Sequence, residues 1–186
     1  MRRLSSFVLT GVLWALGVIG VPDTVGQPAP SKEYQVKAAF LYSFSRFVDW
    51  PAEAFPEANT PFVIGVLGEN PFGGYLAELV QGEKITNRPV VIQHFQRVED
   101  IKSCHILFLG KSEATRMEQI IAELKKLSVL TVSEEDAARA RPEMITLIMT
   151  NNKIRFKLNL EAARAAGLKI SSKLIRTAEN SAALKD

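Results

Sequence analysis

A glycine-rich turn is the part of this sequence whose residue types best suit ligand binding. Gly68, Gly73 and Gly74 follow an apolar run in the string GVLGENPFGG, and Asn70 adds a side-chain amide between them. A turn of this kind after a strand can direct backbone N–H groups at an anion. The spacing matches neither GxGxxG nor a P-loop. We therefore predict that the glycines mainly form tight turns, and that these four residues contact any small ligand that binds.

The other residues that could carry chemistry have no partners at useful spacing. His94 and His105 lie within apparent strands and lack a HExxH or Cys/His arrangement, which predicts structural histidines and no metal site. The string at 171–173, Ser-Ser-Lys, lacks the SxxK spacing of a serine–lysine pair, and no GxSxG occurs, so we interpret the serines as helix caps. The acidic run at 134–136 is typical of a first helical turn. We predict no catalytic residue, no cofactor and no enzymatic activity.

The first 26 residues have the layout of a secretory signal peptide. A basic start precedes an apolar stretch over 4–21, and small residues follow it. This stretch could just span a bilayer, so an uncleaved anchor is the alternative. Its Ser, Thr and Gly content favours cleavage. We expect a periplasmic protein that begins near Gln27, with a linker over 27–33 and a single domain over 34–186.

Composition indicates an ordinary globular protein with a modest positive charge. The chain has 186 residues, 47% of them hydrophobic, and a net charge of +3. Cys104 is the only cysteine, which excludes an internal disulfide and favours a buried, inert thiol. Residues 151–186 carry eight Lys and Arg against three Asp and Glu. This basic third could face an anionic membrane surface or an acidic partner, or be a solvated face. Nucleic acid is not an expected partner of an exported protein.

An aromatic segment near the start of the domain predicts a helix. It reads KAAFLYSFSRFVDWP over 37–51, with Phe40, Phe44 and Phe47 at i, i+4 and i+7. That spacing places large apolar groups on one helix face, and the final proline ends the helix. We interpret the phenylalanines as core residues rather than as a cofactor box or a membrane-active face. Trp50, at the helix end, is a candidate interface residue because tryptophan is favoured at interfaces.

Short apolar runs alternate with amphipathic segments along the rest of the chain. An asparagine-rich turn at 150–153 joins two apolar runs and predicts a hairpin. Strands separated by helices predict an α/β fold of three layers, with a mostly parallel sheet flanked by helices, Rossmann-like or flavodoxin-like, and a C-terminal antiparallel hairpin. The predicted strands are 62–68, 89–95, 104–109, 129–132, 145–149 and 154–158; the predicted helices are 75–80, one from 112, 160–166 and 171–183.

The sequence resembles the YfiR family of small periplasmic proteins. The likeness rests on strings that occur in the same order and span nearly the whole mature chain. They are the aromatic segment at 37–51, FVIGVLGENPFG at 62–73, CHILFLG at 104–110, VLTVSE at 129–134, KIRFKLNLEAA at 153–163 and AGLKISSKLIRTA at 166–178.

This resemblance implies a non-enzymatic regulator of cyclic di-GMP signalling. Such a protein binds and represses the periplasmic part of an inner-membrane diguanylate cyclase of the YfiN type, which lowers cyclic di-GMP and biofilm formation. An outer-membrane lipoprotein is a further partner that it implies, and we also expect a homodimer. Some members of the family use disulfides, a form of control that the lone Cys104 does not permit within one chain.

Two sets of residues are the candidate sites. The exposed basic residues of the C-terminal third, together with Trp50, are expected to face the partner: Arg155, Lys169 and Lys173. The apolar residues of the string LKISSKLIR at 168–176 are expected to fix that segment to the sheet. The alternative function is a small-ligand-binding module of a transport or sensory system, which would use the glycine turn at the carboxyl ends of the strands.

Overall fold

The computed structural model describes residues 29–135 and 142–179. The predicted signal peptide and the first two residues of the predicted linker lie outside these residues, as does the end of the last predicted helix. The linker is shorter than predicted, because α1 begins at Lys32. The described helices are α1 (Lys32–Phe44), α2 (Tyr75–Leu79), α3 (Met117–Leu124), α4 (Leu160–Ala165) and α5 (Ser172–Thr177). The described strands are β1 (Val48–Asp49), β2 (Phe62–Leu67), β3 (Lys84–Ile85), β4 (Arg88–Phe95), β5 (Ile106–Leu109), β6 (Leu130–Glu134), β7 (Ile145–Thr150), β8 (Lys153–Leu158) and β9 (Lys169–Ile170).

The main sheet has the strand order β3-β4-β2-β5-β6-β7-β8. The five strands from β4 to β7 are parallel, whereas β3 and β8 are antiparallel edge strands. When the five parallel strands are numbered by their order in the sequence, they lie in the sheet in the order 2-1-3-4-5, which is the flavodoxin-like arrangement. The predicted fold class is therefore confirmed, including the C-terminal hairpin.

Each face of the sheet carries its own apolar core. Alternate residues of β2 point to opposite faces: Ile64 joins one core and Val63 the other. The first core packs against α1, α2, α4 and α5, and the second against α3. Because both faces are covered, β2 and β5 are buried along their whole length. Burial on both sides explains why these strands read as continuous apolar runs rather than as alternating ones.

The aromatic helix ends earlier than the sequence predicts. It stops at Phe44, and i→i+3 hydrogen bonds then carry the chain through a tight turn to Phe47. Val48 and Asp49 are extended and pair antiparallel with β9. The Ser171 N–H also donates to the Phe47 carbonyl at 2.9 Å. Pairing with a segment far along the chain thus overrides the local helical pattern.

Two further boundaries differ from the predicted ones. The last helix, α5, ends at Thr177, because Ala178 has extended dihedral angles (φ −69°, ψ 143°). The predicted strand at 89–95 is preceded by a hairpin partner, β3, through a turn in which Thr86 and Asn87 have φ of 50° and 66°. Positive φ at both central residues is the signature of a two-residue hairpin turn, and Thr86 hides that signature in the sequence.

Candidate functional site

A groove of about 410 Å³ opens between the C-terminal half of α1, the edge strand β8 and α5. Three segments that lie far apart in the sequence form its walls. Its lining residues are Phe40, Ser43, Phe44, Phe47, Lys153, Ile154, Arg155, Phe156, Lys173, Leu174 and Thr177.

The floor of the groove is aromatic and continuous with the core. Phe44 is buried, and its ring centroid lies 5.4 Å from that of Phe156 on β8. Phe40 lies 5.8 Å from Phe44 and 6.1 Å from Phe156, and is only partly buried. The aromatic stripe therefore has two roles: Phe44 is a core residue, as predicted, while Phe40 and Phe47 present apolar surface to the groove.

The rim of the groove is basic. Lys153, Arg155 and Lys173 are all exposed. The ammonium of Lys173 lies 5.2 Å from the ring centroid of Phe47, and the Nε of Arg155 lies 2.8 Å from a carboxylate oxygen of Glu179. Lys153 has no ion pair among the described residues. Two of the four predicted partner-binding residues, Arg155 and Lys173, are thus brought together here.

Two exposed apolar side chains lie next to residues that line the groove. Val36 lies one helical turn before Phe40 on α1, and Met149 of β7 stands directly opposite Ile154 of β8. These are the two large apolar side chains classed as exposed in the described part of the chain, at 45% and 47%. Exposed apolar surface next to a groove is typical of a protein-binding site.

The other two predicted partner-binding residues lie elsewhere. Lys169 is exposed on β9, opposite Asp49. Trp50 is partly buried: its Nε1 donates to the His105 carbonyl at 3.1 Å, and its ring meets Phe62 edge-on at 4.9 Å. It borders a second, more polar depression of about 730 Å³, at the end of the sheet where the parallel strands begin. Neither Trp50 nor Lys169 is among the described residues that line the groove.

The glycine turn lies at the carboxyl end of β2, next to the carboxyl end of β5, where a flavodoxin-like sheet has its topological switch point. Its polar groups are used within the chain. The Glu69 N–H donates to the Ser112 hydroxyl at 2.9 Å, and Asn70 accepts from the Phe72 N–H and donates to the Gly73 carbonyl.

The turn is also tightly packed. A Cβ added at Gly68, where φ is +79°, would lie 2.3 Å from the Ser112 Oγ, so the glycine is required for both conformation and space. Gly74 is more open, since the nearest atom to such a Cβ there is 3.8 Å away. This agrees with tight turns as the role of Gly68 and Asn70. Ligand binding at these four residues remains a prediction.

A buried ion pair lies at the carboxyl ends of the central strands. Lys37 of α1 is 3% exposed and pairs with Glu134 of β6 and with Glu33 one turn earlier. The Tyr34 hydroxyl donates to Glu134 at 3.1 Å, and the Lys111 ammonium lies 3.6 Å from it. Burial, followed by the Glu134 charge, raises the pKa of Tyr34, so its hydroxyl stays a donor. The sequence gives no sign of this network, because a helix lysine normally faces solvent.

His105 is a structural histidine, as predicted. Its ring is nearly parallel to those of Phe55 and Phe62, with centroids 4.4 and 4.8 Å away. Nδ1 accepts from the Val63 N–H at 3.0 Å, and Nε2 donates to the Ala54 carbonyl at 3.1 Å. Burial lowers the pKa of His105, and nearby Arg88 lowers it further. Burial also raises the pKa of the Cys104 thiol to about 12, which keeps it protonated and inert.

We expect this histidine to make stability depend on pH. Because the folded state lowers its pKa, the unfolded state binds the proton first as pH falls below about 6.5. The free energy of unfolding should therefore decrease between about pH 7 and 5.5. His105→Asn should be less stable at pH 7 but show a smaller decrease over this range, in urea titrations at each pH. His94→Gln, at an exposed position, is the control. If the free energy of unfolding of His105→Asn depends on pH as steeply as that of the wild type, His105 is not the source of the pH dependence.

Nine groove residues are not among the predicted site residues: Phe40, Ser43, Phe44, Phe47, Lys153, Ile154, Phe156, Leu174 and Thr177. Helical spacing predicts Phe40 and Phe47 as core residues because it shows which side chains share a face, not how completely that face is covered. In β8, apolar residues at 154, 156 and 158 alternate with basic residues at 153, 155 and 157, a pattern typical of a strand with one face in solvent. What it could not show is that β8 is the last strand of the sheet, with the groove beside it.

Within the described residues, no three His, Cys, Asp or Glu side chains are grouped so that they could hold a metal ion. The described helices also include none that is both long and apolar enough to span a bilayer. A family model described as YfiR/HmsC-like matches residues 34–179. This match covers most of the chain, so the protein belongs to the YfiR/HmsC-like family, and the resemblance in its sequence is confirmed.

Proposed function

We propose that this YfiR/HmsC-like protein is a periplasmic regulator without catalytic activity that binds the periplasmic part of an inner-membrane diguanylate cyclase and represses it. Repression would lower cyclic di-GMP and biofilm formation. Family membership supports a regulator of this kind. The proposal adds a surface for the binding step, which is the groove between α1, β8 and α5.

The observation that carries the proposal is the concentration of uncovered apolar surface at this groove. Val36 lies one helical turn before Phe40 and Met149 lies opposite Ile154, and they are the exposed large apolar side chains of the described chain. Phe40 and Phe47 are themselves only partly buried. A protein interface gains most of its free energy from a few apolar or aromatic anchors that fill a pocket and exclude water. A volume of about 410 Å³ has room for a few such side chains.

The basic rim would select and orient the partner. Lys153 and Lys173 stand at the edge of the apolar surface and keep their charges in solvent. Charges in this position mainly raise the association rate and disfavour partners of like charge. An acidic surface around an apolar anchor is therefore the expected complement on the cyclase.

Repression by binding alone sets a requirement on affinity. A regulator can shift the equilibrium between the inactive and active states of a cyclase only by the ratio of its affinities for those two states. Moving the population from almost fully active to almost fully inactive needs a ratio of about 10⁴. The groove would therefore have to recognise a conformation of the periplasmic domain that exists mainly in the inactive state.

Deletion of the gene is expected to raise cyclic di-GMP. The effect should disappear when the protein is supplied again, and it should be absent in a strain that also lacks the cyclase, a membrane protein with a GGDEF domain encoded nearby. Cyclic di-GMP is measured in extracts of the four strains. The same cyclase should co-purify with the protein. No rise after deletion, together with no co-purification, would contradict the proposal.

Three further parts of the proposal do not involve the groove. Cleavage of the signal peptide over residues 1–26 rests on the pattern of the first residues, and an outer-membrane lipoprotein as a second partner rests on the family resemblance. A homodimer is a further expectation. Trp50 and Lys169 lie outside the groove, so any contact they make with a partner would belong to a separate surface.

A further inference from the structure

The groove is bordered by a strand edge whose backbone groups are open. β8 is the terminal strand of the sheet, with β7 on one side only. Its hairpin turn consists of Asn151 and Asn152, with φ of 50° and 59°, and Thr150 pairs with Lys153 across it. In a two-residue hairpin the pair that flanks the turn exchanges hydrogen bonds, and bonded pairs then alternate along the strands.

This alternation fixes which backbone groups of β8 point outwards. Lys153, Arg155 and Lys157 direct theirs at β7, so those of Ile154 and Phe156 point away from the sheet. The Phe156 carbonyl bears this out, because it accepts a hydrogen bond from the Glu179 N–H at 2.9 Å. The N–H and C=O of Ile154 and the N–H of Phe156 have no hydrogen-bond partner among the described residues.

The side chains beside this edge differ on the two faces of the sheet. The side chains of Ile154 and Phe156 point to the α1 face of the sheet, and those of Lys153, Arg155 and Lys157 alternate with them. At the free edge of β8, Lys153 and Arg155 also reach the rim of the groove. Alternate residues of a strand added beside β8 would therefore face the apolar groove and the row of basic side chains.

The charges argue against a second copy of this chain as the added strand. Pairing two β8 strands about a two-fold axis would bring the Lys153–Arg155–Lys157 row of one copy beside the same row of the other. Like charges across adjacent strands are destabilising. Lysines on an edge strand are in fact a common protection against self-pairing. Arg155 and Lys157 already pair with Glu179 and Glu135, so an acidic segment would be attracted mainly by Lys153 and would compete with Glu179 for Arg155.

We propose that an extended segment of the cyclase's periplasmic part adds to the sheet as a strand beside β8, hydrogen-bonded to the N–H and C=O of Ile154. The residue opposite Ile154 is apolar and enters the groove over Phe40 and Phe47. The residues before and after it are acidic and face Lys153 and Arg155. This deepens the proposed function and rests on it: it states the recognition mode, β-strand addition, and an acidic–apolar–acidic pattern in the bound segment.

Proline at position 154 provides a direct test. Proline lacks the N–H that the added strand needs, but this N–H points away from β7, so the hairpin keeps its ladder. Ile154→Ala removes nearly the same side chain and keeps the N–H, which makes it the matched control. We expect Ile154→Pro to bind the purified periplasmic segment of the cyclase at least about tenfold more weakly than Ile154→Ala. Equal affinities of two folded variants would overturn the proposal.

Hydrogen exchange of the unmodified protein tests it without a substitution. The Ile154 amide should exchange slowly only in the complex, whereas the Lys153 and Arg155 amides should be protected in both states. If the complex forms and the Ile154 amide stays unprotected, strand addition is wrong and the proposed function stands. If no complex forms, both are wrong. If the protein alone is a dimer that Ile154→Pro dissociates, the strand beside β8 is a second copy and this proposal is overturned.

Discussion

Replacing Lys37 by methionine is expected to lower the free energy of unfolding by about 3 kcal/mol. The ammonium of Lys37 is buried against Glu134, and removing it leaves that carboxylate in a site where 6% of its side chain is exposed. The remaining partners, Tyr34 and Lys111, offset part of the cost, which is why the expected loss lies at the lower end for a broken buried pair. Chemical denaturation at pH 7 measures the change.

Two variants serve as controls for this experiment. Lys32→Met makes the same substitution at an exposed position of α1 and should change stability by no more than about 0.5 kcal/mol. The double variant Lys37→Met with Glu134→Gln removes both charges and should recover much of the lost stability. If Lys37→Met is as stable as Lys32→Met, the pair does not hold α1 to the carboxyl ends of the strands.

The second large loss of stability is expected when Leu174 of α5 is replaced. Comparison with its neighbour Lys173 distinguishes the residue that stabilises the fold from the one that binds the partner. Its side chain is 5% exposed and belongs to the core beneath the groove. Leu174→Ala should cost about 2–5 kcal/mol, from lost burial and the cavity that remains. Its exposed neighbour Lys173 makes no ion pair among the described residues, and Lys173→Glu should change stability by no more than about 0.5 kcal/mol. Urea midpoints of both variants measure this, and equal losses would contradict the division of roles.

The sheet could be predicted from sequence because the amino-acid composition of its strands indicates how deeply they are buried. Continuous apolar runs such as 62–67 are too short for helices and too apolar for one-sided strands, so they indicate strands covered on both faces. The two-residue strands β1, β3 and β9 could not be found in this way. Two residues have no periodicity, and the pairing of Val48 with Ile170 depends on the folded chain.

The groove illustrates a different limit. Phe40, Phe44 and Phe47 are equivalent as a helical stripe, yet one is buried and two are partly open. The reason is that the C-terminal half of α1 packs against β8, the last strand of the sheet, and the helix ends before Phe47. Lys37 shows the converse: a lysine that a helix pattern assigns to solvent is buried because Glu134, 97 residues later, lies against it. Both outcomes depend on which segments meet in space.

Binding of the purified cyclase segment to three forms of the protein tests the central claim most directly. The forms are wild type, Lys173→Glu at the groove rim, and Lys126→Glu, an equally exposed lysine beyond α3 on the other face of the sheet. We predict that Lys173→Glu binds about threefold to tenfold more weakly, with a shallower dependence on salt, and that Lys126→Glu binds as wild type does. Equal affinity of Lys173→Glu and wild type at low salt, with both proteins folded, would contradict the assignment of this groove as the partner-binding surface.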